Sequence, residues 1–419
     1  MTAPDTDSST ADRVLFAGGS IFDSISDTRY RADVLVEGGL ISQVIVGGAT
    51  PSEHAGHVVD VTGSTVLPGL IDAHTHVGII SLSTQNTMAP AVQAGTIFRT
   101  LSSALDQGFT TLRDLGGVDG GLVEAIDQGL ISGPRVLPSG QIISQSAGHG
   151  DSRRRHSNQT ANETTGSGGL TWEMRIADGV EEVRRAARDQ FRKGATQLKV
   201  FASGGMLSEG DPIDSPQYSV EELAAVVEVA ADRNTYVTAH AHTVRGIHRA
   251  VEAGIRCFEH ATIIDSETVE LLASVGASVI PTLTISEMLR LDASSMGVPE
   301  EWLHDAPRLR DSARESILML DAAGVLLGSG ADLIGDTQVQ RGWEIALKAD
   351  ILGAAKAIKS ATRVNAQILG IADEVGTIEA GMHADLVVFA GDPVADPTLF
   401  RTTWPTLVYR HGVLVSSAS

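Results

Sequence analysis

A single cysteine, Cys257, in 419 residues removes two possibilities at once. No disulfide can form within the chain, and no cysteine-based zinc site can be built. Any bound metal has to be held by histidine, carboxylate or a less usual ligand. Long apolar runs are missing as well: no window approaches the roughly 18 consecutive apolar residues that a membrane-spanning helix requires. The first residues, MTAPDTDSSTAD, have neither the basic start nor the apolar stretch of a secretory leader, so a soluble, cytoplasmic protein is expected. Cations are outnumbered, 31 Lys and Arg against 52 Asp and Glu, for a formal net charge of -21. That surplus repels phosphate backbones and argues against nucleic acid and anionic membranes as partners. A small-molecule substrate stays open, and an anionic one would need local cations.

What the chain does contain is an ordinary globular share of hydrophobic residues, 42%, arranged in two textures. At the amino end, RVLFAGGSIFDSISDTRYRADVLVEGGLISQVIVGG alternates Val, Ile and Phe between Gly and Asp turns, the signature of short strands. GTIEAGMHADLVVFAGDP and TLVYRHGVLVSS repeat that texture at the other end, so the termini are expected to pair into one small β module. Between them, strand and helix alternate. Eight apolar strand candidates stand out: TVLPGLIDAHTH, FTTLRDLGG, RVLPSGQIIS, TQLKVFASGG, TYVTAHAH, RCFEHAT, SVIPTL and VLLGSGAD. Amphipathic stretches such as VEEVRRAARDQFRKG, SVEELAAVVEVAADR and ESILMLDAAG lie between several of them. The expected class is α/β, a (β/α)8 TIM barrel over 66–370 with a small β-sandwich built from 1–65 and 371–419. A doubly wound sheet is the competing architecture.

The aperiodic stretches 145–170 and 207–218 read as long loops leaving the third and fourth strands, at the face where barrels build their sites. Polar residues gather at that same face. His74 and His76 end the first strand, Lys199 sits in the fourth, His240 ends the fifth, His260 the sixth and Asp332 the eighth. Residues i and i+2 of a strand point the same way, so His74 and His76 both face the barrel axis while Thr75 faces away. Taken singly, each has a plain explanation: a hydrogen-bonded histidine at a strand end, a paired or snorkelling lysine, an aspartate capping a turn. Taken together, four histidines, a lysine and an aspartate at one end of successive strands are costly to bury without a shared task. Lys199 is the odd member, because burial and neighbouring cations both favour its neutral amine. Such an amine can add carbon dioxide to become a carbamate able to bridge two divalent ions.

In order and completeness, PGLIDAHTH, QLKVFASGG, VTAHAH, FEHAT, GSGAD and GTIEAGMHADLVV resemble the metal-dependent amidohydrolase superfamily over nearly the whole chain. The resemblance implies that His74, His76 and Asp332 hold one metal and His240 and His260 a second. Carbamylated Lys199 would bridge the two, the ions being most often zinc. SAGHGD, LKVFASGGMLSEGDPI and HAHTVRGIHRAVEAGIRCFEHAT look like the branch of Xaa-Pro dipeptidases, carboxypeptidase-like enzymes and ochratoxin-hydrolysing amidases. Its members are commonly oligomeric. The implied reaction is hydrolysis of the amide of an N-acyl amino acid or dipeptide, with Asp332 as both ligand and proton shuttle. Hydrolysis of a neutral xenobiotic amide, carbamate or urea is the alternative; a mononuclear deaminase and a metal-free scaffold fit less well. Substrate contacts are expected from His149, His242 and the SRRRH run, where Arg153, Arg154 or Arg155 could pair with a carboxylate. Each has a plainer reading: a solvated loop histidine, a hydrogen-bonded support for a ligand, and arginines balancing nearby acids.

Overall fold

The computed structural model describes residues 13–48, 56–82, 88–151, 153, 174–205, 211–296, 298, 303 and 306–418. Among them, no helix is long and apolar enough to cross a membrane. The amino-terminal alternation yields β1 (Arg13–Ala17), β2 (Ser20–Ile21), β3 (Tyr30–Glu37), β4 (Leu40–Val46), β5 (His57–Asp60) and β6 (Ser64–Pro68). Then follow β7 (Leu70–Thr75), β8 (Phe109–Asp114), β9 (Arg135–Pro138), β10 (Ile143–Ser144) and β11 (Arg175–Ile176). Further on come β12 (Leu198–Phe201), β13 (Val237–Thr243), β14 (Cys257–Ile263), β15 (Ser278–Ile280) and β16 (Leu326–Leu327). The chain closes with β17 (Leu386–Ala390), β18 (Leu407–Arg410) and β19 (Val413–Ser417).

Both ends meet in one sheet, ordered β19-β18-β17-β6-β2-β3-β1-β5, with β4 on β3. The junction is the antiparallel pair β17–β6, in which Leu386 faces Pro68 and Val388 faces Val66. Its inner face buries Phe16, Val34, Val66, Leu386, Val388 and Tyr409 together, and Phe16 meets Tyr409 edge-on at 4.7 Å. Large apolar side chains at every second position are what lets two distant segments share this core.

The middle of the chain forms two parallel sheets, β7-β8-β9 and β11-β10-β12-β13-β14-β15-β16. Strand order follows chain order from β7 to β9 and from β10 through β12 to β16, with the short β11 added at the edge beyond β10; a doubly wound sheet would instead reverse its order about a central strand. Helices such as Pro90–Asp106, Val180–Arg192, Val220–Ala231 and Ala306–Ala322 lie between the strands, as parallel neighbours require. Burial explains the apolar strands: Leu198 and Val200 of β12, Ala239 of β13 and Phe258 of β14 lie in one core with Val183, Leu223 and Leu320 of the helices.

Four of the strand candidates come out altered. TVLPGLIDAHTH divides at Gly69, where a Cβ would lie 2.1 Å from Thr110 Oγ1; β6 joins the terminal sheet, so that sheet extends to Pro68, past the expected boundary at 65, and only β7 enters the parallel one. RVLPSGQIIS breaks into β9 and β10, because at Gly140 (φ 70°) the backbone turns where a Cβ would come within 2.5 Å of Gln190 Oε1. The same Gln190 oxygen accepts a bond from Gln141 N at 2.9 Å, fixing the break. SVIPTL is a strand only to Ile280, since Thr282 (φ 51°) turns into the helix Leu283–Asp292. β11, two residues long, was not expected, and the eighth candidate is regular only over Leu326–Leu327.

Past β16, the backbone leans on β7 instead of continuing a regular ladder. Ala73 N donates to Ser329 O at 2.9 Å and Asp332 N to His74 O at 2.8 Å, joining the last parallel strand to the first. Asn365 stitches the same seam, donating from Nδ2 to Ile71 O and Ser329 O, both at 2.7 Å. The approach is so close at Gly330 that a Cβ there would lie 2.5 Å from His74 Cβ. Gly330→Ala is therefore expected to lose about 1–3 kcal/mol of stability in a denaturant titration; an unchanged midpoint would contradict this packing.

Candidate metal centre

The ends of β7, β13 and β14 and the segment after β16 open into one chamber. The side chain of Asp332 is 17% exposed, more than its histidine partners, while Lys199 is 1% exposed. Asp332 Oδ1 lies 3.2 Å from both His74 Nε2 and His76 Nε2, and those two nitrogens are 3.3 Å apart. Asp332 Oδ2 is 4.0 Å from His260 Nδ1. The His260 ring in turn lies 4.6 Å from that of His240 and 4.5 Å from that of His242, centroid to centroid. Ligand atoms of His74, His260 and Asp332 lie within 4.8 Å of one another, as do those of His240, His242 and His260.

Local backbone conformation aims these groups. His260 (φ 72°), Ala261 (φ 45°) and Asp332 (φ 55°) are left-handed, a conformation that costs non-glycine residues energy and tends to persist where surrounding contacts fix it. The ladder between β13 and β14 slips at the same place, between Ala241 and Thr243. One ring nitrogen of each of three histidines is held by a neighbour. His76 Nδ1 bonds Gly116 O at 2.8 Å, His260 Nδ1 meets Thr282 Oγ1 at 2.7 Å and His242 Nδ1 meets Thr262 Oγ1 at 3.0 Å.

Beneath the chamber lies a buried charge network that the chain pattern had not singled out. Glu259 Oε2 accepts from His74 Nδ1 at 2.7 Å, and Glu259 Oε1 accepts from Arg113 Nη2 at 2.7 Å. Glu259 and Arg113 are both 0% exposed. Beside them, Asp72 Oδ2 accepts from Arg341 Nη1 at 2.8 Å. Asp72 Oδ1 takes the backbone N–H groups of His74 and Ala331, both at 3.1 Å. Thr75 Oγ1 also bonds Arg341, at 2.5 Å, so it faces away from the chamber. The available signal was a charged residue in the interior of a strand flanked by apolar residues: Arg113 after Leu112 in FTTLRD, Glu259 after Phe258 in CFEHATI, Asp72 between Ile71 and Ala73 in LIDAHT.

Burial and charge set the protonation states. Burial drives the His240 and His260 imidazoles well below their ordinary pKa, aided by neighbouring histidines and Lys199. Burial opposes ionisation of Asp332, but His74 and His76 outweigh it and hold the carboxyl well below its usual range. Lys199 is lowered by burial to about 8, and its Nζ has no hydrogen-bond partner among the described residues. Neutral imidazoles, an ionised carboxylate and an orphaned buried amine form a donor set that fits divalent cations.

Of the expected substrate contacts, His149 and His242 reach the chamber. The His149 ring stacks on His240 at 4.7 Å, and its Nδ1 is 3.2 Å from Asp211 Oδ2. Arg153 binds Asp151 through two bonds of 2.7 and 2.5 Å, so its guanidinium is already matched. Arg154 and Arg155 lie outside the described residues.

Comparison with known proteins now decides the family. The amidohydrolase family matches residues 65–415. The chain belongs to the amidohydrolase family. It is therefore a hydrolase of amide bonds. Ochratoxinase from Aspergillus niger is 34% identical over 351 residues, covering 80% of this chain and 72% of that protein. A prolidase solved with N-methylphosphonate-L-proline superposes with a TM-score of 0.91 at 36% identity, covering 97% of this chain and all (100%) of the other. A Xaa-Pro dipeptidase with methionine in its active site gives a TM-score of 0.85 at 28% identity, over 96% of this chain and 99% of that one. Family and prolidase neighbours imply a TIM barrel with an additional domain, in keeping with the parallel sheets.

The chamber carries a pH signature. Burial opposes the Glu259 charge, but Arg113, His74 and Lys199 overcome it and hold the carboxyl at about 2, against 4.5 ordinarily. Burial lowers His242 from 6.5 to about 3. In both cases the unfolded chain binds protons more readily than the folded one, so folding stability falls as pH falls. The His242 contribution declines from about pH 6.5 downward and that of Glu259 from about pH 4.5, each continuing to its folded value. Chelated protein should show a decreasing unfolding midpoint from pH 7 to pH 4; a constant midpoint would refute these assignments.

Proposed function

We propose that this amidohydrolase is a binuclear metal enzyme that cleaves the amide bond of N-acyl amino acids or dipeptides, releasing the C-terminal amino acid. The observation that carries it is the convergence of His74, His76 and Asp332 beside His260, His240 and the unpartnered Lys199 amine. In this reading the strands close into one (β/α)8 barrel and the terminal sheet forms its companion β-sandwich.

His74, His76 and Asp332 would hold one ion, His240 and His260 the other, with Lys199 shared between them. The Lys199 nitrogen adds its lone pair to the carbon of carbon dioxide, one C=O electron pair moves onto oxygen and the amine proton leaves to solvent. The resulting carbamate offers two oxygens. Two divalent ions, zinc on the family resemblance, would lower the pKa of a shared water from about 15.7 to near neutrality and polarise the amide carbonyl.

The remaining steps belong to side chains. Oδ1 of Asp332 faces His74 and His76, whereas Oδ2 lies 4.0 Å from His260 Nδ1. We assign Oδ2 as the atom that takes the proton of the attacking water and passes it to the departing nitrogen, which leaves poorly unless protonated. His149, held through Nδ1 by Asp211, donates from Nε2 to the substrate carbonyl or carboxylate. His242, whose ring centroid also lies 4.7 Å from that of His240, would line the site beside it.

One observation favours the second reading, a neutral amide, carbamate or urea substrate: Arg153 is already neutralised by Asp151. A panel of N-acyl amino acids and dipeptides, tested against anilides, carbamates and ureas on protein loaded with zinc and bicarbonate, decides between them. Cleavage confined to the carboxylate-bearing set is expected; preference for the neutral set would select the alternative. Asp332→Asn should lower kcat by about 10²- to 10⁴-fold while much of the zinc is retained, and near-normal turnover would remove the shuttle role. About two bound ions per chain are expected after loading; about one would contradict the binuclear assignment, and fewer than about one would favour a metal-free scaffold.

A further inference from the structure

The two long loops that leave the third and fourth strands, one carrying SAGHGD and the other ending in DPIDSPQY, meet at His149. Asp211 and Gln217 belong to the second loop, and both are buried. Asp211 Oδ2 has three neighbours at 3.2 Å: it lies that far from His149 Nδ1, and it accepts from Gly205 N and from Gln217 Nε2. With the oxygen of the same amide, Gln217 accepts the backbone N–H of His149 at 3.0 Å. One pair of side chains therefore grips His149 by its ring and by its backbone.

The ring is confined by packing as well. It stacks on His240, with centroids 4.7 Å apart and planes 23° from parallel, and Phe201 meets it edge-on at 4.9 Å. Gly205 lies so near that a Cβ there would come within 2.3 Å of His149 Cε1 and 2.5 Å of Nε2. Only glycine leaves room for the imidazole in this stack. The second loop is itself fastened to the end of β12, since Gly204 N donates to Ser215 O and Gln217 N to Ala202 O, both at 2.9 Å. A side chain held at ring, face and backbone keeps one orientation before any substrate arrives, which is what precise placement of a contacting group requires.

We propose that Gly205, Asp211 and Gln217 are positioning residues that hold the His149 imidazole on the His240 ring, so that the loop after β12 sets where His149 meets the substrate. The inference rests on the substrate contact assigned to His149 above. Without Asp211 the ring loses the partner that fixes its rotation. Without Gln217 the backbone that carries the ring is released, and a methyl group at 205 drives the ring out of the stack. All three changes have one consequence, displacement of the same imidazole.

The test asks whether these residues act through His149. Asp211→Ala, Gln217→Ala and Gly205→Ala are each made in the wild-type chain and in His149→Ala, and every protein is loaded with zinc and bicarbonate. Kinetics use the N-acyl amino acid or dipeptide that the wild type cleaves fastest, with bound zinc read by elemental analysis and folding by melting curves. Asp211→Ala and Gly205→Ala should each lower kcat/KM by about 10- to 100-fold in the wild-type chain. Once His149 is absent, the same changes should cost less than about twofold, because residues that act through one group are not additive with it. Gln217→Ala should show a smaller loss with the same pattern, and bound zinc should stay at the wild-type level throughout. Gly205→Ala also gives a reading without turnover: it should lower the melting temperature by about 1–3 °C beside His149 and leave it unchanged in His149→Ala. Residues that merely keep the loop folded would cost the same in both backgrounds.

Equal losses in the two backgrounds overturn the proposal, as does wild-type kcat/KM in folded Asp211→Ala or a loss of zinc from it. Should Asp211→Ala fail to fold, Gly205→Ala and Gln217→Ala decide by the same comparison. Wild-type kcat/KM in His149→Ala removes the substrate contact and the proposal with it. A wild type that cleaves only neutral amides, carbamates or ureas overturns the substrate class proposed above, while the comparison, run on the neutral substrate, still decides whether the three residues act through His149.

Discussion

The structure depends on the seam where the segment after β16 meets β7. Asp72 is its pivot, with Oδ1 accepting the backbone N–H groups of His74 and Ala331 and Oδ2 paired to buried Arg341. His74 and Asp332 are 258 positions apart in the chain, yet the Asp332 N–H bonds the His74 carbonyl at 2.8 Å. A carboxylate that accepts backbone donors from both sides fixes the relative height of the two strands. Height decides whether two side chains can share a ligand. Arg341 makes the arrangement tolerable, since a buried charge without a counter-ion is costly.

The same logic extends inward. The chamber places His74 between two carboxylates, Asp332 at 3.2 Å and Glu259 at 2.7 Å. They raise the affinity of His74 for a proton against the opposing effect of burial and of Lys199. A site whose fixed groups draw a proton onto an imidazole draws a metal cation onto it for the same electrostatic reason. On the other side, burial and mutual repulsion keep His240 and His260 neutral, with lone pairs available. The chamber is thus anionic at one end and basic at the other, linked by Lys199.

How much of this was legible follows from what each residue contributes to a one-dimensional pattern. His74 and His76 could be read because period two in a strand is local, and their convergence with Asp332 because strand ends in parallel order share one face. The meeting of the two termini was legible from their matching textures, and they share one sheet; its junction strand β6 was not, because Val66–Pro68 run on without a break in pattern into the first barrel strand. Arg113, Glu259 and Asp72 lie in quoted strands, yet their roles are set by partners far away in sequence. Glu259 meets Arg113 across 146 positions and His74 across 185, separations at which neither periodicity nor spacing carries information. Arg153 shows the converse: it was read as a substrate cation, and its partner Asp151 stood two residues away in the same run.

Backbone strain completes the account of why the site takes this form. Left-handed conformation at His260 and Asp332 costs on the order of 1–3 kcal/mol each, and neither residue is a glycine that would adopt it freely. Relaxing His260 would withdraw its Nδ1 from Thr282 and its ring from His240 and His242. Relaxing Asp332 would break its backbone bond to His74 and remove its carboxylate from both imidazoles of β7. Each strained residue is therefore held by more than one contact to a different strand, so neither can relax without the seam giving way. Strands that must end in alternating, outward-splaying side chains cannot by themselves focus five groups on one point. The two left-handed residues supply the change of direction, and the Asp72–Arg341 and Glu259–Arg113 pairs hold the surrounding strands rigid enough to sustain it.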